Sequence, residues 1–96
     1  MRILTGVTAV ISAAHCGRDG VLHGHTWQIT AWWEGGPDAI EKQHTLRNFL
    51  DAYDHSVLPR DVALGEALGR AVLTGVECCK VDVARPLEGI FAVVER

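Results

Sequence analysis

Three histidines lie close together near the start of the chain, at a spacing that suits a metal ion. A single glycine separates His23 from His25, and His15 ends the preceding predicted strand. Residues two apart in a β-strand project from the same face about 7 Å apart, so both imidazoles of the pair reach one ion. Three neutral imidazoles with an open fourth position are typical of a catalytic zinc site. The sequence therefore predicts a Zn²⁺ site at His15, His23 and His25.

The histidine pattern is also compatible with sites that hold no zinc. A lone His-x-His pair occurs in proteins that bind no metal, and copper, nickel or iron also suit three imidazoles. A cupin uses a similar pair but has a carboxylate ligand a few residues later, where this chain has Ile29 and Thr30. The third histidine, at the end of a neighbouring strand, favours the zinc hypothesis.

Length and composition describe one small globular domain, residues 1–96. With 48% apolar and 22% charged residues, the chain lacks the low hydrophobicity of disordered proteins. Its formal net charge of −3 gives no reason to expect nucleic acid as a partner. No apolar run approaches the roughly 20 residues of a membrane helix. We expect a small-molecule substrate, no membrane or nucleic-acid partner, and an oligomer, since so small a domain is marginally stable alone.

The cysteines indicate a reducing compartment. There are three, Cys16, Cys78 and Cys79, and an odd number that includes an adjacent pair fits reduced thiols. The segment Ile3–Ala14 resembles a short secretory signal, but its β-branched and polar residues suit a strand better. A cytoplasmic location is therefore predicted.

Hydrophobic periodicity predicts six elements in the order β-β-α-α-β-β. Two hairpins that flank two helices imply an α+β domain with a four-stranded, mostly antiparallel sheet. Gly75 stands where the left-handed glycine after a helix belongs. Odd-numbered residues of the first strand are mostly apolar, and His15 shares their parity. The predicted strands are Met1–Ala14, His23–Trp33, Cys79–Ala84 and Ile90–Val94, and the predicted helices are Ala39–Tyr53 and Asp61–Thr74.

Several motifs together resemble those of the 6-pyruvoyltetrahydropterin synthase and 6-carboxytetrahydropterin synthase family. They are Ser12-Ala13-Ala14-His15 with Cys16, His23-Gly24-His25, and Asp54-His55, and the resemblance extends over nearly the whole chain. It implies the tunnelling fold, with both helices on one face of the sheet. It also implies a homotrimer or homohexamer with sites between subunits. Zinc on the three histidines would act as a Lewis acid on oxygens of a reduced pterin's side chain, in a lyase or synthase reaction.

The same resemblance assigns further roles. Cys16 takes or delivers a proton, and His55 passes that proton to or from Cys16 while Asp54 fixes the tautomer of the imidazole. Glu66 matches a substrate-binding glutamate at the start of the second helix. Alternative interpretations are that Cys16 is an inert thiol at a strand end, and that Asp54 and His55 are a helix-terminal cap and a solvent-facing histidine.

The chain departs from the family where the pterin ring is bound. Leu64 and Gly65 replace hydroxyl residues before Glu66, and Arg85 stands where a glutamate clasps the pterin unless Glu88 substitutes for it. The loop between the first histidine and the cysteine is also missing. Because arginine only donates hydrogen bonds, it cannot replace a carboxylate. Three hypotheses remain: a tetrahydropterin synthase, a zinc enzyme that acts on a non-pterin, acidic substrate bound by Arg85, and a non-catalytic metal-binding oligomeric module.

Overall fold

The chain folds into a five-stranded sheet with two helices packed on one face. A computed structural model describes all residues, 1–96. The strand order is β3-β1-β2-β4-β5, and every pairing is antiparallel except that of β3 with β1. In chain order the elements are β1 (Leu4–Cys16), β2 (Leu22–Glu34), α1 (Ala39–Leu50), β3 (Ser56–Val57), a short 3-10 helix (Arg60–Val62), α2 (Gly65–Gly75), β4 (Lys80–Arg85) and β5 (Ile90–Glu95).

The predicted α+β class is confirmed, and the sheet has one strand more than the predicted four. The additional strand, β3, pairs in parallel with Ala13 and Ala14 of β1. Backbone hydrogen bonds on either side, from His55 N–H to Ser12 O and from Leu58 N–H to Ala14 O, hold it there. A two-residue strand has no periodicity of its own, so only its contact with β1 defines it.

Alternation along β1 and β2 builds the inner face of the sheet. The inward side chains are buried and form one hydrophobic core with the apolar residues of both helices. Trp27 and Trp33 are buried in the core of the single chain. The buried residues of the two long strands are Val7, Ala9, Ile11, Ala13, His15, Trp27, Ile29, Ala31 and Trp33.

The helices differ from the prediction at their ends. Asp38 caps the N-terminus of α1, because its carboxylate accepts the N–H groups of Ile40 and Glu41. The helix ends at Leu50 and not at the predicted Tyr53. The second helix begins at Gly65, after the 3-10 turn. Neither helix has the length and apolar character needed to cross a membrane.

The predicted role of Gly75 as the residue after the helix is wrong. Gly75 is the last helical residue, and the left-handed backbone falls at Glu77, with φ of 54°. A Cβ atom at Gly75 would overlap the ring of Phe49 on α1. The glycine therefore permits the close approach of the two helices rather than a turn of the backbone.

Candidate metal centre

The β1–β2 hairpin brings the three predicted metal ligands together. His15 pairs directly with His23 across the two strands, and His25 pairs with Ala13. The ring centroid of His15 lies 4.9 Å from that of His25 and 6.1 Å from that of His23. His15 is only 4% exposed, and the other two rings are partly buried. The hairpin therefore places the three histidines on one face of the sheet, as predicted.

Hydrogen bonds define the tautomers of His15 and His25. Nδ1 of His15 lies 2.5 Å from the carbonyl oxygen of Ala63, and Nδ1 of His25 lies 2.5 Å from Oε1 of Glu88. A carbonyl and a carboxylate accept hydrogen bonds, so each Nδ1 carries the proton and each Nε2 keeps its lone pair. Metal-binding histidines are usually held in this way, with the second ring nitrogen on an oxygen acceptor.

Arg85 occupies the position on which these two lone pairs converge. Its Nη1 lies 3.0 Å from Nε2 of His25 and 3.4 Å from Nε2 of His15. The guanidinium only donates, so both imidazole nitrogens are acceptors here. It also lies over the ring of Trp27, at 5.7 Å from the centroid, and forms no ion pair with a carboxylate. Two neutral imidazoles thus already face one cation.

His23 has a separate partner outside this pair. Its Nε2 lies 3.0 Å from Oδ2 of Asp19. A hydrogen bond from the N–H of Val21, and after it the bond from His23, lower the pKa of the Asp19 carboxyl. The Asp19 carboxylate accepts a hydrogen bond from Nε2 of His23, and this bond holds the imidazole in its present orientation.

No three His, Cys, Asp or Glu side chains are arranged around a common point as metal ligands. The physical reason is that Arg85 stands between His15 and His25 while His23 is bonded to Asp19. The donor set nevertheless fits zinc, because the Nδ1 contacts leave the Nε2 lone pairs of His15 and His25 directed at one cation. Zinc at these three histidines stays a prediction.

Two clefts adjoin the histidine cluster. The first, here called the arginine cleft, has a volume of about 240 Å³ and contains His15, Glu66 and Arg85 among its lining residues. The second, the histidine cleft, has a volume of about 440 Å³ and contains His25 and His55. The histidine cluster thus lies between the predicted substrate-binding residues Glu66 and Arg85 on one side and His55 on the other.

Cys16 lines neither of these clefts. It is exposed and neighbours His15 in β1, so its side chain projects from the opposite face of the strand. It lines a third cleft, which it shares with Arg60 and Leu64. Within one chain the structure therefore does not bring Cys16 and His55 together.

Asp54 and His55 are held against β1. Oδ1 of Asp54 accepts the N–H of Ser12 at 2.9 Å and lies 3.1 Å from Nδ1 of His55. The Ser12 N–H, followed by His55, lowers the pKa of the Asp54 carboxyl below its ordinary value. His55 has a φ of 57°, an unusual backbone conformation for a residue other than glycine, and its side chain is 82% exposed. This arrangement ties Nδ1 of His55 to Asp54 and leaves most of the imidazole exposed to solvent.

Replacing Asp54 with asparagine is expected to destabilise the fold in a pH-dependent way. The pKa of Asp54 is below 3.8 in the folded chain, so the carboxylate stabilises the fold above that pH. This contribution is lost as the pH falls through the lowered pKa. The free energies of unfolding of wild type and Asp54→Asn should therefore differ at neutral pH and converge in acid. Urea denaturation between about pH 2 and pH 7 measures this, and Asp51→Asn, at an exposed position, is the control. A difference that persists unchanged in acid would contradict the assignment.

Comparison with solved structures identifies the architecture. The chain is similar to the 6-pyruvoyl tetrahydropterin synthase of Caenorhabditis elegans, with a TM-score of 0.82 over 100% of this chain and 96% of that chain, at 15% sequence identity. The chain has the tunnelling fold. No protein-family model matches the sequence, and no curated protein matches it significantly. The resemblance seen in the sequence is thus confirmed at the level of the fold.

Within this tunnelling fold, three partners of the histidines were not predicted. They are the Ala63 carbonyl, Asp19 and Glu88, which contact His15, His23 and His25 respectively. Asp19 lies four residues before His23 in the connecting turn and carries a weak sequence signal, whereas the sequence suggests Glu88 only as a substitute in substrate binding. Ala63 contributes a backbone oxygen, for which the amino-acid sequence carries no signal.

Proposed function

We propose that the protein is a zinc-dependent enzyme that catalyses proton transfer and elimination on the side chain of a small molecule, in the manner of a 6-pyruvoyl- or 6-carboxytetrahydropterin synthase. The observation that supports this proposal is the pair of neutral imidazoles, His15 and His25, whose Nε2 atoms face one cation between two clefts. The fold supports it independently, because it is also the fold of a tetrahydropterin synthase.

In this proposal the side chains of the cluster have separate tasks. His15, His23 and His25 hold the metal, which supplies Lewis acidity toward an oxygen of the substrate. The Ala63 carbonyl and Glu88 keep two of these imidazoles in the tautomer that a ligand needs. His55 exchanges a proton through Nε2 while Asp54 holds its Nδ1. Cys16 is the second proton-transfer group, and Glu66 contributes to substrate binding.

The proposed site requires a second subunit. Cys16 and His55 line different clefts in one chain, so a proton passes between them only if they come from neighbouring subunits. Exposed apolar side chains on the sheet support an oligomer, which we propose to be a homotrimer or homohexamer. They include Val10 on β1, Val57 on β3, and Phe91 and Val93 on β5.

The test uses zinc-loaded protein and a reduced pterin triphosphate. Replacing Cys16 with alanine should leave zinc content unchanged and lower turnover about a hundredfold, the usual scale for loss of a proton-transfer group. His55→Ala should do the same. Cys79→Ala is the control, because that thiol contacts the Trp32 carbonyl outside the clefts. A fully active Cys16→Ala enzyme would exclude the cysteine from the reaction.

Mixing the two inactive variants tests the shared site. If Cys16 and His55 come from different subunits, co-assembly of equal amounts of Cys16→Ala and His55→Ala restores about a quarter of the wild-type activity, because one interface in four then has both groups intact. Mixtures that stay inactive after verified subunit exchange would place both groups in the same subunit.

A second candidate function is zinc-dependent chemistry on an acidic, non-pterin substrate. The observation that favours it is Arg85, a cation without a carboxylate partner in the arginine cleft. Glu66, the carboxylate in that cleft, pairs with Arg18 at 2.8 Å, so binding a pterin through Glu66 requires this exposed ion pair to open. Turnover of carboxylated or phosphorylated carbonyl compounds, without turnover of pterins, would select this candidate. Zinc binding without any turnover would select the third hypothesis, a non-catalytic module.

A further inference from the structure

We propose that Arg85 is a displaceable internal cation, and that metal binding frees its guanidinium to bind an oxyanion in the arginine cleft. Metal and oxyanion then bind with positive cooperativity. The ligand group is a carboxylate, sulfate or phosphate group. This inference rests on the proposed function for the presence of the metal, and it adds a regulated anion site to it.

The first step is the competition for the imidazole nitrogens. Nη1 of Arg85 uses the lone pairs of His15 and His25, at 3.4 and 3.0 Å. A zinc ion bound by the same nitrogens would lie about 2.0–2.1 Å from each. Each Nε2 has one lone pair, so it serves the arginine or the metal but not both. Repulsion between the two positive charges adds to this exclusion, so the side chain of Arg85 must withdraw.

Once withdrawn from the imidazoles, the guanidinium of Arg85 needs another partner for its charge. The carboxylates nearby are engaged, Glu66 with Arg18 and Glu88 with His25. Arg85 is partly buried against Trp27 and lines the arginine cleft, which is large enough for a small ligand. A guanidinium binds carboxylates and phosphates through two parallel hydrogen bonds. An anion from solution is therefore the partner that compensates its charge.

Metal binding and anion binding are linked thermodynamically through Arg85. If a metal frees Arg85 for the anion, then the anion must raise the affinity for the metal by the same factor. An oxyanion removes the freed guanidinium from competition with the metal. Without Arg85 there is neither competition nor coupling, so a variant that lacks the guanidinium should bind zinc more tightly and without dependence on the anion.

The experiment measures the zinc dissociation constant by competition with a chromophoric chelator. Wild type and Arg85→Met are compared in sodium chloride, and then with sulfate or acetate at the same ionic strength. Without oxyanion, Arg85→Met should bind zinc about tenfold more tightly than wild type. Saturating oxyanion should tighten zinc binding by wild type about fivefold, at the low end of usual coupling factors, and leave Arg85→Met unchanged. A response to acetate alone indicates a carboxylate site, and one to sulfate alone indicates a site for tetrahedral anions.

The control is Arg70→Met, which removes the same charge at an exposed position on α2 and should behave as wild type does. Arg85→Lys, which keeps the charge but not the paired donors, should retain part of the competition and guards against misfolding of the methionine variant. Equal zinc affinities and equal anion responses in wild type and Arg85→Met would overturn the inference while leaving the zinc site intact. Failure of both proteins to bind zinc would overturn the inference and the proposed function together.

Discussion

Replacing His25 with alanine is expected to reduce bound zinc from about one ion per chain to nearly none. In the proposed site this imidazole contributes one of three ligands, and its loss should weaken zinc binding roughly a thousandfold, since structural zinc sites derive about 10–16 kcal/mol from a few ligands. The substitution also leaves Glu88 without the imidazole that it contacts at 2.5 Å. Turnover should disappear together with the metal.

Elemental analysis after dialysis, together with chelator competition, measures this loss. His44→Ala is the matched control, because His44 is an exposed histidine on α1, outside the cluster. Its zinc content should equal that of wild type. If His25→Ala and His44→Ala retain equal amounts of zinc, then the ion lies elsewhere and the histidine cluster is not the metal centre.

Replacing Trp27 with alanine is expected to lower the free energy of unfolding by about 3–5 kcal/mol, the usual cost of truncating a large buried aromatic side chain. Trp27 is 2% exposed, and its Nε1 donates to the carbonyl of Ala13 at 3.0 Å. Its ring packs edge-on against His15 and His25, with centroid distances of 5.0 and 5.8 Å. The cavity left by alanine would also loosen the two imidazoles, so zinc affinity should fall as well.

Urea denaturation measures the free energy of unfolding of Trp27→Ala and Trp32→Ala. Comparing the two shows whether the loss is specific to Trp27 or follows from removing a tryptophan anywhere in β2. Trp32 lies on the outer face of β2 and is only partly buried, so its replacement should cost about 1–2 kcal/mol. Trp27→Phe keeps most of the buried apolar area but not the hydrogen bond. Its decrease in the free energy of unfolding should lie between those of Trp27→Ala and Trp32→Ala. Equal losses for Trp27→Ala and Trp32→Ala would mean that the ring under the histidines has no special structural role.

Much of the fold could be predicted because its signals are local. Period-two alternation in β1 and β2 assigns His15, His23 and His25 to the face that the hairpin brings together. The N-cap of α1 could be predicted from Asp38 in the same way. Such patterns depend only on neighbours in sequence, so they can be recognised without knowledge of the tertiary structure.

The remaining features depend on contacts between distant segments. Gly75 serves the packing of α2 on Phe49, and β3 exists only through its pairing with β1. The same holds for the site: Arg85 meets His15 across 70 positions of sequence, and Glu88 meets His25 across 63. Residue types at those positions indicate which chemistry is available, but the register of separate hairpins decides which groups meet.

The attachment of residues 54–57 to β1 has a consequence for how this protein can change. Asp54 and the backbone of His55 both bond to Ser12, on the strand that also carries His15. Strand β1 therefore sets the spacing between His55, the proposed proton carrier, and His15, the proposed metal ligand. The loop between α1 and Asp54 can then lengthen or drift in sequence over evolutionary time while the two reactive groups keep their separation.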